Sequence, residues 1–392
     1  MGGIMIDLRS FGFEQQHQQI YDMAWRYARE RHHPLLRRMD DEDWFPADEY
    51  RRMGEVGLLG TTVPESLGGP GLDLVAQFFI GEAFTYWNNM LAASWGASEN
   101  LCVNNLVRNA SAEQQMRFLP RMLAGIGALG LSEPGAGSDA LGSMKTTARR
   151  DGDHYVLNGR KMFITNGPVA DLLLVYARTT PDRGQQGISA FVVERGTPGF
   201  SVAQSLKKMG WRGSPTGELL FDDCRVPAAN LVGGEDKGVR VVMSGLDIER
   251  VFFSGHVIGL AQRALDLSLD YARTRVQFGH PIAGFQLVQG MLADMYAALE
   301  SVRAFSYQLL KEVAAADEAG RGEIHKRSAA CVLHAGNMLK LVLDHAVQIH
   351  GGNGFMWETE VNCLYRAGKL IEIGAGTTQV RQIIIAGELL RN

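Results

Sequence analysis

HYVLNGRKMFIT (His154–Thr165) is the stretch on which the fold turns, because here the apolar residues leave helical spacing and gather in short runs bounded by turn residues. The Asn158-Gly159 pair in its middle tolerates the positive φ values of a two-residue type I′ turn. The expected element is a β-hairpin, with strands His154–Leu157 and Arg160–Thr165 joined at Asn158-Gly159. Further short runs follow at Leu172–Ala177, Ile188–Val193 and Glu218–Phe221, separated by Pro181, Asp182, Gly184 and Pro198-Gly199. Residues 126–235 therefore read as a compact β-domain.

On either side the period is helical. In residues 1–125, Ile20, Met23, Ala24 and Tyr27 form one stripe, and Leu101, Val103, Leu106 and Val107 part of another. The polar run RRMDDED (Arg37–Asp43) reads as a solvated connection. In residues 236–392 the stripes are longer. Val257, Leu260, Ala261, Ala264 and Leu265 form the first, Leu292, Met295, Leu299, Val302, Phe305, Leu309 and Val313 the second, and Cys331, Ala335, Leu339, Val342, Ala346 and Ile349 the third. A fourth runs from Ile383 to Leu390. Long amphipathic segments with short connections predict an antiparallel helical bundle. The fold class is thus α+β and multidomain, with helical regions flanking a β-domain.

Composition narrows the function. At 392 residues and 46% hydrophobic, the chain buries a large core, and 39 Lys+Arg against 43 Asp+Glu leave a net charge of −4, which argues against a nucleic-acid partner. Cys102, Cys224, Cys331 and Cys363 form no C-x-x-C pair, so no metal site is expected and reduced thiols in a cytoplasmic protein are. The N-terminal residues carry no apolar leader core, and no window approaches a membrane span, so a soluble, unexported protein without membrane insertion is expected.

Hydrolase and P-loop signatures (G-x-S-x-G, G-x-x-x-x-G-K-[ST], H-E-x-x-H) do not occur in the sequence. Glu133-Pro134-Gly135-Ala136-Gly137-Ser138-Asp139 forms a short glycine loop, read either as a plain turn or as a cradle of backbone N–H groups for a pyrophosphate or ring edge. Ser244–Phe253 (SGLDIERVFF) is more informative. On a helix, Glu249 shares an apolar stripe with Leu246, Phe252 and Phe253. Desolvation there raises a carboxyl pKa toward neutrality, which suits a general base, while a buried ion pair is the equal alternative. Asp247 and Arg250, three residues apart, read either as a helical ion pair or as a ligand clamp.

The strings LSEPGAGSD (131–139), NGRKMFITNG (158–167), QFGHPIAGFQ (277–286), QIHGGNGF (348–355) and IGAGTTQVRQ (373–382) then stop being independent. Their order and spacing resemble the acyl-CoA dehydrogenase family over nearly the whole chain. The resemblance implies a helical N-terminal domain, a middle β-barrel and a C-terminal four-helix bundle. It also implies a homotetramer around non-covalent FAD and α,β-dehydrogenation of an acyl-CoA thioester, with electrons passed to an electron-transfer flavoprotein. By resemblance, Leu131, Ser132, Phe163 and Thr165 line the flavin. Arg275, Phe278, Gln286, Gln348, Gly351 and Gly352 reach the dinucleotide, partly from neighbouring subunits, and Thr377 and Gln379 supply the C-terminal FAD contacts. A tryptophan is common in the family where Phe163 stands. Ser138 lies nearer the CoA chain.

The departure is in the base. Many members carry the catalytic glutamate in a Tyr-Glu-Gly-Thr motif, where this chain has Gly374-Ala375-Gly376-Thr377. Ala375 keeps only its backbone N–H, which still polarises a thioester carbonyl. The branch typified by isovaleryl-CoA dehydrogenase supplies the carboxylate from G-L-D-[IL]-E-R, found here at Gly245–Arg250. The resemblance thus assigns the base to Glu249, with Asp247 and Arg250 as contacts to the CoA part. Gly374, Ala375 and Gly376 open space beside the acyl chain for a short branched group, and Leu101 forms the pocket floor. Ile371, where that branch has tyrosine, and Gly387, where arginine is common, leave bulkier branched or terpenoid acyl-CoAs and carrier-protein-tethered acyl groups as alternatives. An acyl-CoA oxidase and an inactive scaffold of the same fold are the remaining readings.

Overall fold

The computed structural model describes residues 5–316 and 322–391. The N-terminal region is helical: α1 (Gln15–Tyr27), α2 (Leu36–Glu42), α3 (Ala47–Glu55), α4 (Leu74–Trp87), α5 (Asn89–Gly96), α6 (Asn104–Asn109) and α7 (Ala112–Phe118). Apolar on all sides, α4 is buried along nearly its whole length, as a core helix must be. The Asp73 carboxylate accepts the Ala76 N–H at its start, and Asn88 ends it and caps α5 through the Met90 and Leu91 N–H groups.

Two sequence expectations shift here. The buried face of α1 centres on Tyr21, Ala24 and Trp25, whereas Ile20, Met23 and Tyr27 are half-buried. Aromatic contacts decide this, since Tyr21 meets Phe79 and Trp25 meets Tyr86 and Trp87 of α4. The RRMDDED run is no solvated connection. Most of it is helix α2, which buries Met39 and Asp40, and the Asp40 carboxylate is ion-paired with Arg366 of the C-terminal region.

The middle region is an eight-stranded sheet of β1 (Gly127–Gly130), β2 (Thr147–Asp151), β3 (His154–Thr165), β4 (Leu172–Arg178), β5 (Ile188–Glu194), β6 (Phe200–Ser205), β7 (Thr216–Pro227) and β8 (Leu231–Val232). Its order is β6-β7-β3-β2-β4-β5-β8, with β1 parallel to β4. Both faces are apolar. In β4, Leu173, Val175 and Ala177 pack within the β-domain, while Leu172, Leu174 and Tyr176 face Cys102, Val103, Leu106 and Phe118 of the helical region. This second face welds the sheet to the helices.

The expected Asn158-Gly159 hairpin is replaced by one continuous strand. β3 runs unbroken from His154 to Thr165, and the reversal falls one step earlier, at Gly152-Asp153, with Asp151 opposite His154. Gly152, at φ 61°, supplies the left-handed turn residue. Asn158 instead pairs sideways with Asp223 of β7, accepting its N–H and donating to its carboxylate. Gly159 sits in a bulge, where a Cβ would lie 2.5 Å from Thr146 Oγ1 and 2.7 Å from Thr146 Cα. The glycine serves a close approach, and Asn-Gly alone does not separate that from a turn.

The C-terminal region comprises α8 (Gly238–Thr274), a small β9–β10 ribbon (Val276–Gln277 with His280–Pro281), α9 (Gln286–Ala314), α10 (Gly322–His350), the short α11 (Gly352–Phe355), α12 (Glu360–Gly368) and α13 (Thr378–Leu389). The three long stripes expected in α8, α9 and α10 bury their apolar residues as a bundle. Helix α8 presses on α4 so closely that a Cβ at Gly259 would stand 2.3 Å from the Glu82 carbonyl oxygen. The fourth stripe faces outward: Ile383, Leu389 and Leu390 are exposed, and the buried residue of α13 is Arg381.

These placements make the bulge testable. Replacing Gly159 by alanine forces a side chain into backbone at φ 149° and is expected to destabilise the protein by roughly 1–3 kcal/mol, whereas Gly152→Asn, which meets open space, should change stability by less than about 0.5 kcal/mol. Urea denaturation of the two variants checks the contrast.

Candidate active site

Helix α8 carries the central group. Glu249 is half-buried one turn from the buried Phe252, with Leu246 and Phe253 half-buried on the same stripe. Burial pushes its carboxyl up from 4.5 to about 7, against the opposing charges of Arg250 and Arg381. Glu249 makes no hydrogen bond or ion pair within 4 Å among the described residues, so the ion-pair alternative is not the one adopted. An acidic group with a near-neutral pKa and free oxygens is what a general base requires.

Its neighbours take the pair instead. The Arg250 Nη1 donates to Asp247 Oδ1 at 3.1 Å, and His325 Nδ1 of α10 lies 2.7 Å from the same oxygen. Asp247 is 0% exposed, so this carboxylate lies in the interior and holds Arg250 there. The ion pair that the sequence offered for this couple is formed. The cluster holds a guanidinium beside Glu249 without neutralising it.

The loop before α13 brings a second element. Ala375 and Gly376 are both left-handed, at φ 53° and 83°, and Thr377 caps α13 by accepting the Val380 N–H. The Ala375 and Gly376 N–H groups have no partner among the described residues. Gly374, Ala375, Gly376 and Thr377 are half-buried and Gln379 is exposed. Arg381 fastens this loop: Nη1 donates to the Ile371 carbonyl and Nη2 to the Gly374 carbonyl, each at 2.8 Å. Sequence reasoning missed Arg381. The signal was available as a lone charge between Val380 and Ile383 in an apolar pattern.

On the β-domain, the segment from Leu131 to Glu133 lies along β3. Met162 donates its N–H to the Ser132 carbonyl at 2.8 Å, and the buried Lys161 Nζ bridges the Leu131 carbonyl and the Glu133 carboxylate. Glu133 in turn accepts the Lys145 and Thr146 N–H groups. This network brings Leu131, Ser132, Phe163 and Thr165 together. Phe163 sits where β3 shifts register against β7, at φ 62°, and stands 69% exposed. A large apolar ring held out in strained backbone is a platform for another flat group. Ser138 lies exposed on the adjoining glycine loop, and Leu101 is half-buried beside α6.

The remaining expected positions form a separate surface. Arg275, Gly351 and Gly352 line a cavity of about 290 Å³ together with Tyr271, His350 and Asn353. A Cβ at Gly351 or Gly352 would meet nothing within 4 Å, so this turn leaves space for a ligand next to a guanidinium, although the Gly351 N–H itself donates to the Gln348 carbonyl at 3.1 Å. Gln286 and Gln348 are exposed, and Phe278 is 90% exposed. A ring platform, an arginine and an open glycine turn fit a flat heteroaromatic group with a phosphate tail. No group of acidic, histidine or cysteine side chains among the described residues is arranged to hold a metal ion.

A desolvated carboxyl, and a loop with free backbone donors held by an arginine whose charge reaches that carboxyl, together suit the removal of a proton beside a carbonyl. Three family descriptions match in succession: the N-terminal domain of acyl-CoA dehydrogenase over residues 14–126, its middle domain over 128–224 and its C-terminal domain over 236–390. The chain belongs to the acyl-CoA dehydrogenase family, whose members are FAD-dependent enzymes. It is 42% identical over 384 residues to the mitochondrial isovaleryl-CoA dehydrogenase of Oryza sativa subsp. japonica, which covers 97% of this chain and 92% of that protein. Butyryl-CoA dehydrogenase from Megasphaera elsdenii superposes with a TM-score of 0.92 at 31% identity, over 99% of this chain and 100% of that one. A structure described for the electron transferring flavoprotein of Acidaminococcus fermentans gives 0.93 at 34% identity, over 99% and 100%.

The raised Glu249 carboxyl has a consequence for stability. Since the folded pKa of about 7 exceeds the ordinary 4.5, ionisation opposes folding, and the stability present below about pH 4.5 is lost as pH rises through about 7. Glu249→Gln removes that loss. The variant's thermal midpoint should match the wild type near pH 4 and exceed it at pH 8; an unchanged gap across this range would contradict the burial.

Proposed function

We propose that this enzyme dehydrogenates a short branched acyl-CoA of the isovaleryl type, with Glu249 as the base that takes the α-proton. The observation that carries the reading is the desolvated carboxyl of Glu249, under the charge of the same Arg381 that holds the Gly374–Thr377 loop, where position 375 is alanine and carries no acidic side chain. Glu249 accepts the proton, and the Ala375 N–H donates to the thioester oxygen, stabilising the negative charge that develops there. Arg250, held by Asp247 and His325, keeps part of the Glu249 charge stabilised so that the group ionises near neutrality instead of far above it. FAD, when bound, supplies the hydride acceptor that no side chain offers.

Leu131, Ser132, Phe163 and Thr165 would hold the flavin ring, with Thr377 and Gln379 closing over it. Arg275, Phe278, Gln286, Gln348, Gly351 and Gly352 would hold the dinucleotide tail, some of them serving a neighbouring subunit. The outward apolar residues Phe278, Leu287, Ile383 and Leu390 support a homotetramer, since such surface is otherwise costly to leave in water. Ser138 would meet the CoA chain. Gly374 and Ala375 leave room beside the acyl β-carbon that a branch fills, with Leu101 as floor. Electrons would pass to an electron-transfer flavoprotein. The four cysteines, all unpaired and buried, are consistent with a reducing cytoplasm, and no described helix is long and apolar enough to cross a membrane.

Anaerobic titration of the holoenzyme with CoA thioesters tests the reading. Isovaleryl-CoA should bleach the flavin absorption and butyryl-CoA and octanoyl-CoA should do so poorly; the reverse order rejects the branched substrate. Glu249→Gln should slow the bleaching by roughly 10³-fold or more while still binding the thioester, and unchanged reduction in that variant rejects the base.

A further inference from the structure

Ala375 is not glycine, yet it holds a left-handed backbone at φ 53°, immediately before Gly376 at φ 83°. Residues outside glycine persist in that region only where their surroundings over-determine them. Here the Gly374 N–H donates to the Leu370 carbonyl at 2.7 Å, and one side chain adds two further ties. Arg381 is 0% exposed, and its two Nη atoms grip the Ile371 and Gly374 carbonyls from the first turns of α13. Thr377, at the start of that helix, accepts both the Val380 N–H at its side chain and the Arg381 N–H at its backbone. The loop is therefore tied to α13 on both flanks of Ala375. Meanwhile the Arg381 Nε has no partner among the described residues, and the guanidinium acts electrostatically on Glu249.

Resting on the assignment of Glu249 and the Ala375 N–H, we propose that Arg381 is a positioning residue for the reaction. Its bidentate grip fixes Ala375 so that the backbone N–H meets the thioester oxygen, and its charge stabilises the ionised base, so one side chain couples the carbonyl donor to the proton acceptor. A planar fork is needed for two diverging carbonyls, and a lysine supplies the charge without the fork. The other charged or titratable groups around Glu249 are Arg250 and Asp247 on α8, His325 on α10, and Tyr176 on β4 with Arg108 of α6 beyond it. Arg381 joins the base to the loop.

The two duties separate in two variants of the holoenzyme. Arg381→Lys should keep the acid limb of the pH profile of kcat in place, lower kcat per bound flavin about 10- to 100-fold and leave KM within about threefold. Arg381→Gln should lower kcat as well and move the acid limb upward by about one pH unit. An independent readout is the infrared carbonyl stretch of bound 3-methylbut-2-enoyl-CoA carrying ¹³C at the thioester carbon, which should return toward its value in water in both variants. Gly336→Val gives a third route should either variant fail to fold. It crowds Arg381 Nη1 from α10, where a Cβ would stand 3.7 Å away, and should relax the same stretch. Wild-type kcat and carbonyl frequency in Arg381→Lys, an unmoved acid limb in Arg381→Gln, or an unshifted frequency in Gly336→Val would overturn the proposal. A wild-type enzyme that bound no enoyl-CoA would instead remove the assigned function.

Discussion

A carboxyl group withdrawn from water but left without a partner is the constraint around which this molecule is arranged. Ionising Glu249 in partly apolar surroundings costs free energy, and complete pairing with a cation would remove its basicity. The protein takes a middle course. Two guanidiniums, Arg250 and Arg381, act on the carboxyl from a distance, and each spends its hydrogen bonds elsewhere: Arg250 on Asp247, Arg381 on backbone carbonyls. The charge on the base is tempered without being quenched.

Scaffolding follows from that need. Helix α8 must lie deep enough to desolvate Glu249, and the glycine contact at Gly259 lets it settle against α4. Tyr176, on the outer face of β4, closes the same neighbourhood from the β-domain, packed among Cys102, Val103 and Leu106. Three regions of the chain thus meet around one turn of helix. Catalytic geometry built on regular elements and locked by packing is more reproducible than geometry built on a free loop. The loop Gly374–Thr377 is held by an arginine from the helix it precedes.

Much of this was legible in the residues. Period alone separated the β-domain from its helical flanks, and the placement of Glu249 on an apolar stripe anticipated both its burial and its raised pKa. Local patterns failed where a distant partner decided the outcome. Asn158-Gly159 carries the signature of a turn, but the backbone of Thr146 and the side chain of Asp223 use it as a bulge. Arg37–Asp43 looks solvated until Arg366, more than three hundred residues on, draws Asp40 inward. The Asp247–Arg250 spacing announced an ion pair, but nothing local announced that His325 of α10 would join it. Arg381 stood out only as a lone charge in an apolar pattern, and nothing local said that it would reach back to carbonyls seven and ten positions earlier.

Exchange of the substrate α-proton with solvent isolates the step on which the whole account stands, because it reports proton abstraction directly. Isovaleryl-CoA incubated anaerobically in deuterated water with the holoenzyme should take up deuterium at the α-carbon, with a rate that rises through an apparent pKa near 7, and Glu249→Gln should abolish the uptake. Continued exchange in that variant at the wild-type rate would show that another group is the base and would contradict the account.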